Sequence, residues 1–259
     1  VQRRGKNLVG EPYFVPGTPL PLDRKGLGEA EPGDLALVAK GKGRARLVRL
    51  LGRASSIESV LQGLLVQEGE LRGFEPYEPP SISTEDRVDL RGELAFTIDP
   101  ETAKDFDDAL TITDDRAYVH IADVAWFVPA GSPLDHGAQA RSFSVYVPGL
   151  VSPMLPPRLS EELCSLRPDA DRLCVTVEVP LENGLPAGEP SFYRSVIRSR
   201  ARLTYAQAQA ILRGEERADQ ELTEALDGAE RVASSLRDRR FARGALRIES
   251  GEVVFAFDG

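Results

Sequence analysis

The sequence predicts an α+β protein, mostly antiparallel, in which a small β-barrel precedes a larger catalytic-type domain. Three observations carry this. Short strand-like runs separated by Gly and Pro fill residues 1–53: "PYFVPG", "GDLALVAK" and "RARLVRLLG". A Pro-rich acidic stretch, "FEPYEPPSISTED", occupies 74–86. Beyond it, strand-like runs give way to helical periodicity near residue 205. The expected division is therefore a barrel with a short helix over 1–73, a linker over 74–87, and a second domain over 88–259.

In the first part, "KGKGRARLVR" is a basic strand between glycines, suited to running beside phosphates or to keeping an edge strand soluble. The strand spacing fits a barrel of the oligonucleotide-binding kind. "ASSIESVLQGLLVQEG" reads as an amphipathic helix capped by Ser55 or Ser56. In the second part, "ELAFTI", "DALTI" and "AYVHIADVAWFV" read as three strands, with "DDR" at 114–116 as a hairpin loop. "SFSVYVPG", "RLCVTVEVPL" and "SFYRSVIRSRARLTY" read as further strands. Thr204 is placed to cap a helix through "YAQAQAILRG". A longer helix covers about 217–241, with apolar residues at 222, 226, 229, 232 and 236 and Gly244 as its stop. "LRIESGEVVFAFDG" reads as two strand-like pieces.

Composition narrows the function classes. The net charge is −9, yet residues 1–53 hold eleven Lys/Arg against five Asp/Glu, a local +6 that leaves −15 for the rest. A basic front end on an acidic body fits a polyanion grip joined to a cation site. Two cysteines, Cys164 and Cys174, indicate separate buried thiols in a reducing, cytoplasmic setting rather than a disulfide framework. No 18-residue apolar run predicts a membrane span, and the basic start has no apolar signal region.

The most informative stretch is "TIDPETAKDFDDALTI". It places five acidic side chains in ten positions between two apolar runs. Pro100 holds Asp99 extended, so the loop can fold back and bring Asp99 towards Asp107 and Asp108. Clustered carboxylates raise one another's pKa unless a cation compensates. Hard oxygen donors in that pattern suit Mg²⁺, with Mn²⁺ as the alternative. A solvated acidic turn is the rival reading. A helix-loop-helix calcium loop fails, because its sixth position is Lys104 and its twelfth Leu110.

"FTIDPETAKDFDDAL" closely resembles the signature of the ribonuclease II / ribonuclease R family, the RNB catalytic domain. The resemblance continues through "HIADVAWFVPAGSPLD", "RSFSVYVPG", "PMLPPRLSEELCSLRP", "DRLCVTVEV" and "SVIRSRARLTYAQ", over about 88–259. The basic region before it is similar to the cold-shock-type (OB) domain that precedes RNB domains. The resemblance implies a processive 3′-to-5′ exoribonuclease that hydrolyses single-stranded RNA to nucleoside 5′-monophosphates, with no organic cofactor. By that analogy Asp99 and Asp108, helped by Asp105, hold Mg²⁺ against the scissile phosphate. Asp107 is the residue most critical for chemistry, through a second metal or the attacking water. Two-metal hydrolysis needs several carboxylates in one place. Tyr146 and Tyr205 match RNA-contacting tyrosines. Arg198, Arg200 and Arg202 alternate along one strand, so they are expected to share a face and line an RNA channel or meet solvent. His120, Asp123 and Trp126 read as structural.

Two departures stand out. Ile248 aligns where many family members carry Phe, which would make the clamp opposite Tyr146 aliphatic. Family domains also continue past "VVFAFDG", so the chain looks like the first part of the catalytic domain. The alternative reading is a non-catalytic RNA-binding fragment of such an enzyme; a phosphoesterase for small substrates is a third.

Overall fold

A computed structural model describes residues 1–23, 28–69 and 73–248. Its chain divides into two units. One holds Val1–Glu75 with His136–Met154; the other holds Pro76–Asp135 with the chain from Leu155 onward.

In the first unit, β1 (Gln2–Arg4), β2 (Asn7–Gly10) and β3 (Leu20–Pro21) form one antiparallel sheet. β4 (Asp34–Lys40) and β5 (Ala45–Arg53) form a second, and a single parallel bridge links Leu22 to Ala45. Among the described residues these two small sheets stand where a closed barrel is expected from the strand spacing. The β4–β5 ribbon is bulged, its register shifting twice. Helix α1 (Ile57–Gln67) starts at Ser56, whose hydroxyl accepts from the Ser59 N–H at 3.4 Å. Much of the helix packs on β4 and β5 through its buried Leu65 and Gly63.

The second unit is built on a sheet that closes on itself. Its strands are β6 (Val88–Asp89), β7 (Ala95–Asp99), β8 (Asp108–Ile112) and β9 (Arg116–Ala122). After β10 (Val145–Val147) and β11 (Leu150–Ser152), a hairpin of the first unit, come β12 (Asp171–Glu182), β13 (Leu185–Pro186) and β14 (Ser191–Thr204). β7 pairs with β8, β8 with β9, β9 with β12, β12 with β14, and β14 with β7. That cycle is a five-stranded barrel, antiparallel except where β14 runs parallel to β7 and β6. Most inward positions of so narrow a barrel carry small side chains: Ala95, Ala109, Ala122, Cys174, Thr176 and Ser195 are all buried, with the larger His120 held among them by Thr111 and Thr176. Both cysteines are free, and burial pushes the Cys174 thiol up to about 12.

The outward face of β7 needs cover, because Phe96 is fully buried there. Two helices supply it. α4 (Tyr205–Leu212) and α5 (Gln220–Ala242) pack Ala208, Ile211, Leu222, Ala225 and Leu226 against Leu94, Phe96 and Leu203. Thr204 caps α4 in a full capping box: its hydroxyl accepts from Gln207 N–H at 3.1 Å, and the Gln207 side chain accepts from Thr204 N–H at 2.9 Å. Thr204→Ala is expected to lower stability by about 1 kcal/mol, measured by urea unfolding; no change would remove the box as a contributor. α5 starts one residue after Asp219, which accepts from Leu222 N–H, and Gly244 ends it at φ +93°.

Three expectations change. "AYVHIADVAWFV" is not one strand: β9 stops at Ala122, and α2 (Val124–Phe127) follows, so Trp126 sits on a helix, half-buried. At the break, Asp123 N–H donates to Leu173 C=O at 2.9 Å. "SFSVYVPG" yields only the three residues of β10. Between α3 (Pro133–Arg141) and β12, Arg158–Leu163 form a π-helical turn where no element was expected. The strand-like pieces after Ser250 lie outside the described residues, while 245–248 carry no strand.

Candidate active site

β7 and β8 deliver the acidic loop to one end of the barrel. Asp99 ends β7 and Asp108 begins β8, with 100–107 between them. The side chain of Phe106 is buried in the main core and anchors the loop. Asp105 and Asp107 flank this anchor and are exposed, as is Asp108. Asp99 is only 6% exposed, and its Oδ2 is buried without a hydrogen-bond partner. Burial pushes the Asp99 carboxyl above the ordinary carboxylate range; the neighbouring Thr97 hydroxyl and then Arg202 oppose the push, and Asp107 and Asp105 add to it. The Asp108 carboxyl, partly enclosed although the residue as a whole is exposed, is also raised, first by that partial burial, then by Asp107 and Asp99. Asp99 thus feels the charges of Asp105 and Asp107, and Asp108 those of Asp107 and Asp99.

The donor chemistry fits a hard divalent cation. A buried carboxylate oxygen with no partner is a costly feature that a cation would satisfy. The carboxylates are not drawn into a finished shell: among the described residues, no group of three or more His, Cys, Asp or Glu side chains stands at metal-ligating spacing.

The arginines divide. β14 carries an extra residue between Ser199 and Ala201, and this bulge reverses the alternation. Arg202 pairs across the sheet with Thr97, so it lies on the face of Asp99, whereas Arg198 and Arg200 lie on the other. The three do not share a face. Arg202 donates from Nη2 to the carbonyls of Pro100 (2.7 Å) and Glu101 (3.0 Å), and its guanidinium lies 5.3 Å from the Phe106 ring centroid. Arg198 donates from Nε to Asp171 Oδ1 at 2.7 Å, and Arg200 pairs with Glu221 at 3.2 Å. Tyr205 follows Thr204, the residue registered against Asp99, and its side chain is exposed. Tyr146 is exposed on β10 in the first unit, and Ile248 is exposed beyond α5.

Sequence reasoning missed Arg87. It is buried with Asp123, Nη2 to Oδ2 at 2.6 Å, and it also donates to the carbonyls of Cys174 and Ser195. Its guanidinium lies 5.1 Å from the Trp126 ring centroid. An arginine at the foot of an acidic, Pro-rich linker gave no signal that it would be buried.

The second unit is thus a small closed barrel with acidic residues at one mouth. The RNB domain profile matches residues 87–259. The chain belongs to the RNB-domain family. It is 40% identical over 191 residues to "Ribonuclease R" of Aquifex aeolicus, covering 71% of this chain and 27% of that protein. It is 37% identical over 238 residues to "DIS3-like exonuclease 2" of Schizosaccharomyces pombe, covering 80% and 26%. The chain thus spans about a quarter of the length of these relatives. Mycoplasma genitalium RNase R in complex with ribose methylated single-stranded RNA shares the fold at TM-score 0.75 and 22% identity, over 95% of this chain and 44% of that one. Yeast Ssd1, a pseudonuclease, shares it at TM-score 0.62 and 18% identity, over 92% and 33%. Among the described residues no helix is long and apolar enough to cross a membrane.

Proposed function

We propose that this chain carries the acidic part of a hydrolytic 3′-to-5′ exoribonuclease that degrades single-stranded RNA processively to nucleoside 5′-monophosphates in the cytoplasm. The buried Asp99 carboxylate, with its unpartnered oxygen beside three more aspartates at the barrel mouth, is the observation that supports this most. Asp99 and Asp108, helped by Asp105, would hold Mg²⁺, or Mn²⁺ in its place. A bound divalent ion supplies charge neutralisation at the scissile phosphate and an acidified water. Asp107 would contribute to the same donor set or orient the attacking water. Its carboxylate is exposed, while its main-chain carbonyl is fixed by Ala122 N–H at 2.9 Å. Tyr205, exposed one residue past the partner of Asp99, would stack a base, and Tyr146 would do so from the first unit. Arg198 and Arg200 would reach phosphate by exchanging their present carboxylate partners. Arg202 is held on the loop carbonyls, so its reach towards RNA is shorter. The basic sheets of the first unit would serve as the cold-shock-like RNA grip.

A second reading, a non-catalytic RNA-binding part of such an enzyme, is favoured by the open carboxylate arrangement. The two separate in one experiment. A 5′-labelled single-stranded RNA is incubated with the chain and Mg²⁺, beside Asp107→Asn and a chelator control. A ladder shortening from the 3′ end, lost in both controls, is the expected result for the enzyme. Retarded but uncut RNA would select the second reading.

A further inference from the structure

The acidic loop is held from behind by a residue to which nothing above gives a role. Ser165 is 1% exposed and follows the π-helical turn. Its hydroxyl donates to Lys104 C=O at 3.0 Å and accepts from Phe106 N–H at 3.1 Å. One hydroxyl therefore bridges the peptide groups on both sides of Asp105. The next residue continues the clasp: Leu166 N–H donates to Phe106 C=O at 2.7 Å. Ser165 is itself tethered, since Arg172 Nε on β12 donates to its carbonyl at 2.7 Å. Leu166 is fully buried in the same core as Phe106.

We infer that Ser165 is a positioning residue that fixes the main chain from Lys104 to Phe106, so that Asp105 and Asp107 project from a preset backbone. The reasoning is steric and electrostatic. Four like charges within ten residues repel and would drive an untied loop apart. The Phe106 anchor sets its depth but not the rotation of the flanking peptides. The hydroxyl does that, because it has one proton to give and receives one, and both neighbours of Asp105 are used. Loss of the hydroxyl leaves the buried Phe106 N–H without its partner and frees the part-buried Lys104 C=O. The consequence for cation binding rests on the metal reading proposed above; the consequence for the loop does not.

The test uses the 259-residue chain as wild type, Ser165→Ala and Ser195→Ala. Ser195 is equally buried, and its hydroxyl bonds Thr176 within the barrel at 2.6 Å, so its loss controls for stability alone. Hydrogen exchange of the 104–107 amides is measured without metal, and Mn²⁺ binding is followed by electron paramagnetic resonance. The expected result is faster exchange of the loop in Ser165→Ala only, with Mn²⁺ binding weakened by about tenfold or more, as for other residues that orient ligands. Ser165→Thr, which keeps the hydroxyl, is expected to restore much of the protection. Unchanged loop exchange in Ser165→Ala, or equal loss in Ser195→Ala, would overturn the assignment whatever the metal does. If wild type binds no Mn²⁺ while Ser165→Ala alone loosens the loop, the positioning role stands and the metal reading fails.

Discussion

Arg87→Met is expected to destabilise the protein by about 3–5 kcal/mol, enough to unfold much of a marginal domain. The side chains of Arg87 and Asp123 are 1% and 2% exposed, so removing the cation strands a buried carboxylate. The nearest remaining cation is Arg194, whose Nε is 3.8 Å away. Two further bonds also go, to the carbonyls of Cys174 and Ser195, which are cross-strand partners on β12 and β14. Arg87 thus pins the seam where the barrel closes. The double variant Arg87→Met with Asp123→Leu is expected to recover a large part of the loss, because an apolar pair leaves no bare charge. Urea unfolding of the three variants measures this. Equal losses in the single and double variants would mean that Arg87 acts through its carbonyl bonds and its stacking on Trp126, and not through the ion pair.

Acid is expected to weaken the fold through His120. The imidazole is fully buried, and burial alone lowers its pKa to about 4. Its hydrogen bonds define its tautomer. Thr111 Oγ1 gives its one proton to Leu94 C=O at 3.0 Å, so at 3.1 Å it accepts from His120 Nε2–H. Nδ1 is then the acceptor for the Thr176 hydroxyl at 2.8 Å, and Thr176 accepts in turn from Ser195. A second ring proton would face a hydroxyl already donating, and among the described residues no charged group offsets the burial of the ring. The unfolded chain takes up this proton near pH 6.5. The folded state binds fewer protons between pH 6.5 and about 4, so stability falls as pH falls through that window and the loss levels off below it. The loss is expected to reach about 2 kcal/mol by pH 5 and about 3 kcal/mol near pH 4. Asp99 and Asp108, raised above their ordinary range chiefly by burial, act in the opposite sense as they take up protons. Urea midpoints from pH 7.5 to 4.5, with the imidazole resonance of His120 followed by NMR, test this. A ring that protonates above pH 6 would refute it.

Local chemistry was legible in the sequence. Ser56 and Thr204 stand at helix starts because a cap needs only a side-chain oxygen and an N–H two or three residues away, whereas the Asp219 cap, which starts α5 at Gln220 rather than near 217, was not read. Gly244 ends α5 by the same short-range logic. The acidic loop was legible because its like charges are unfavourable without a cation, and Pro100 already sets the direction of Asp99. What spans many residues was not legible. The pairing of β12 with both β9 and β14 closes the barrel, and no periodicity announces a strand with two partners. The bulge after Ser199 sends Arg202 to the Asp99 face, while alternation places it with Arg198; a single extra residue changes parity without changing the pattern of residue types. Arg87 was invisible for the same reason: its partner lies 36 residues away, and burial of an ion pair is a property of the packed barrel. The sequence by itself determined which residues carry charge, caps and turns. The tertiary structure alone decided which of them meet, because sheet closure and register depend on contacts between residues far apart in the chain.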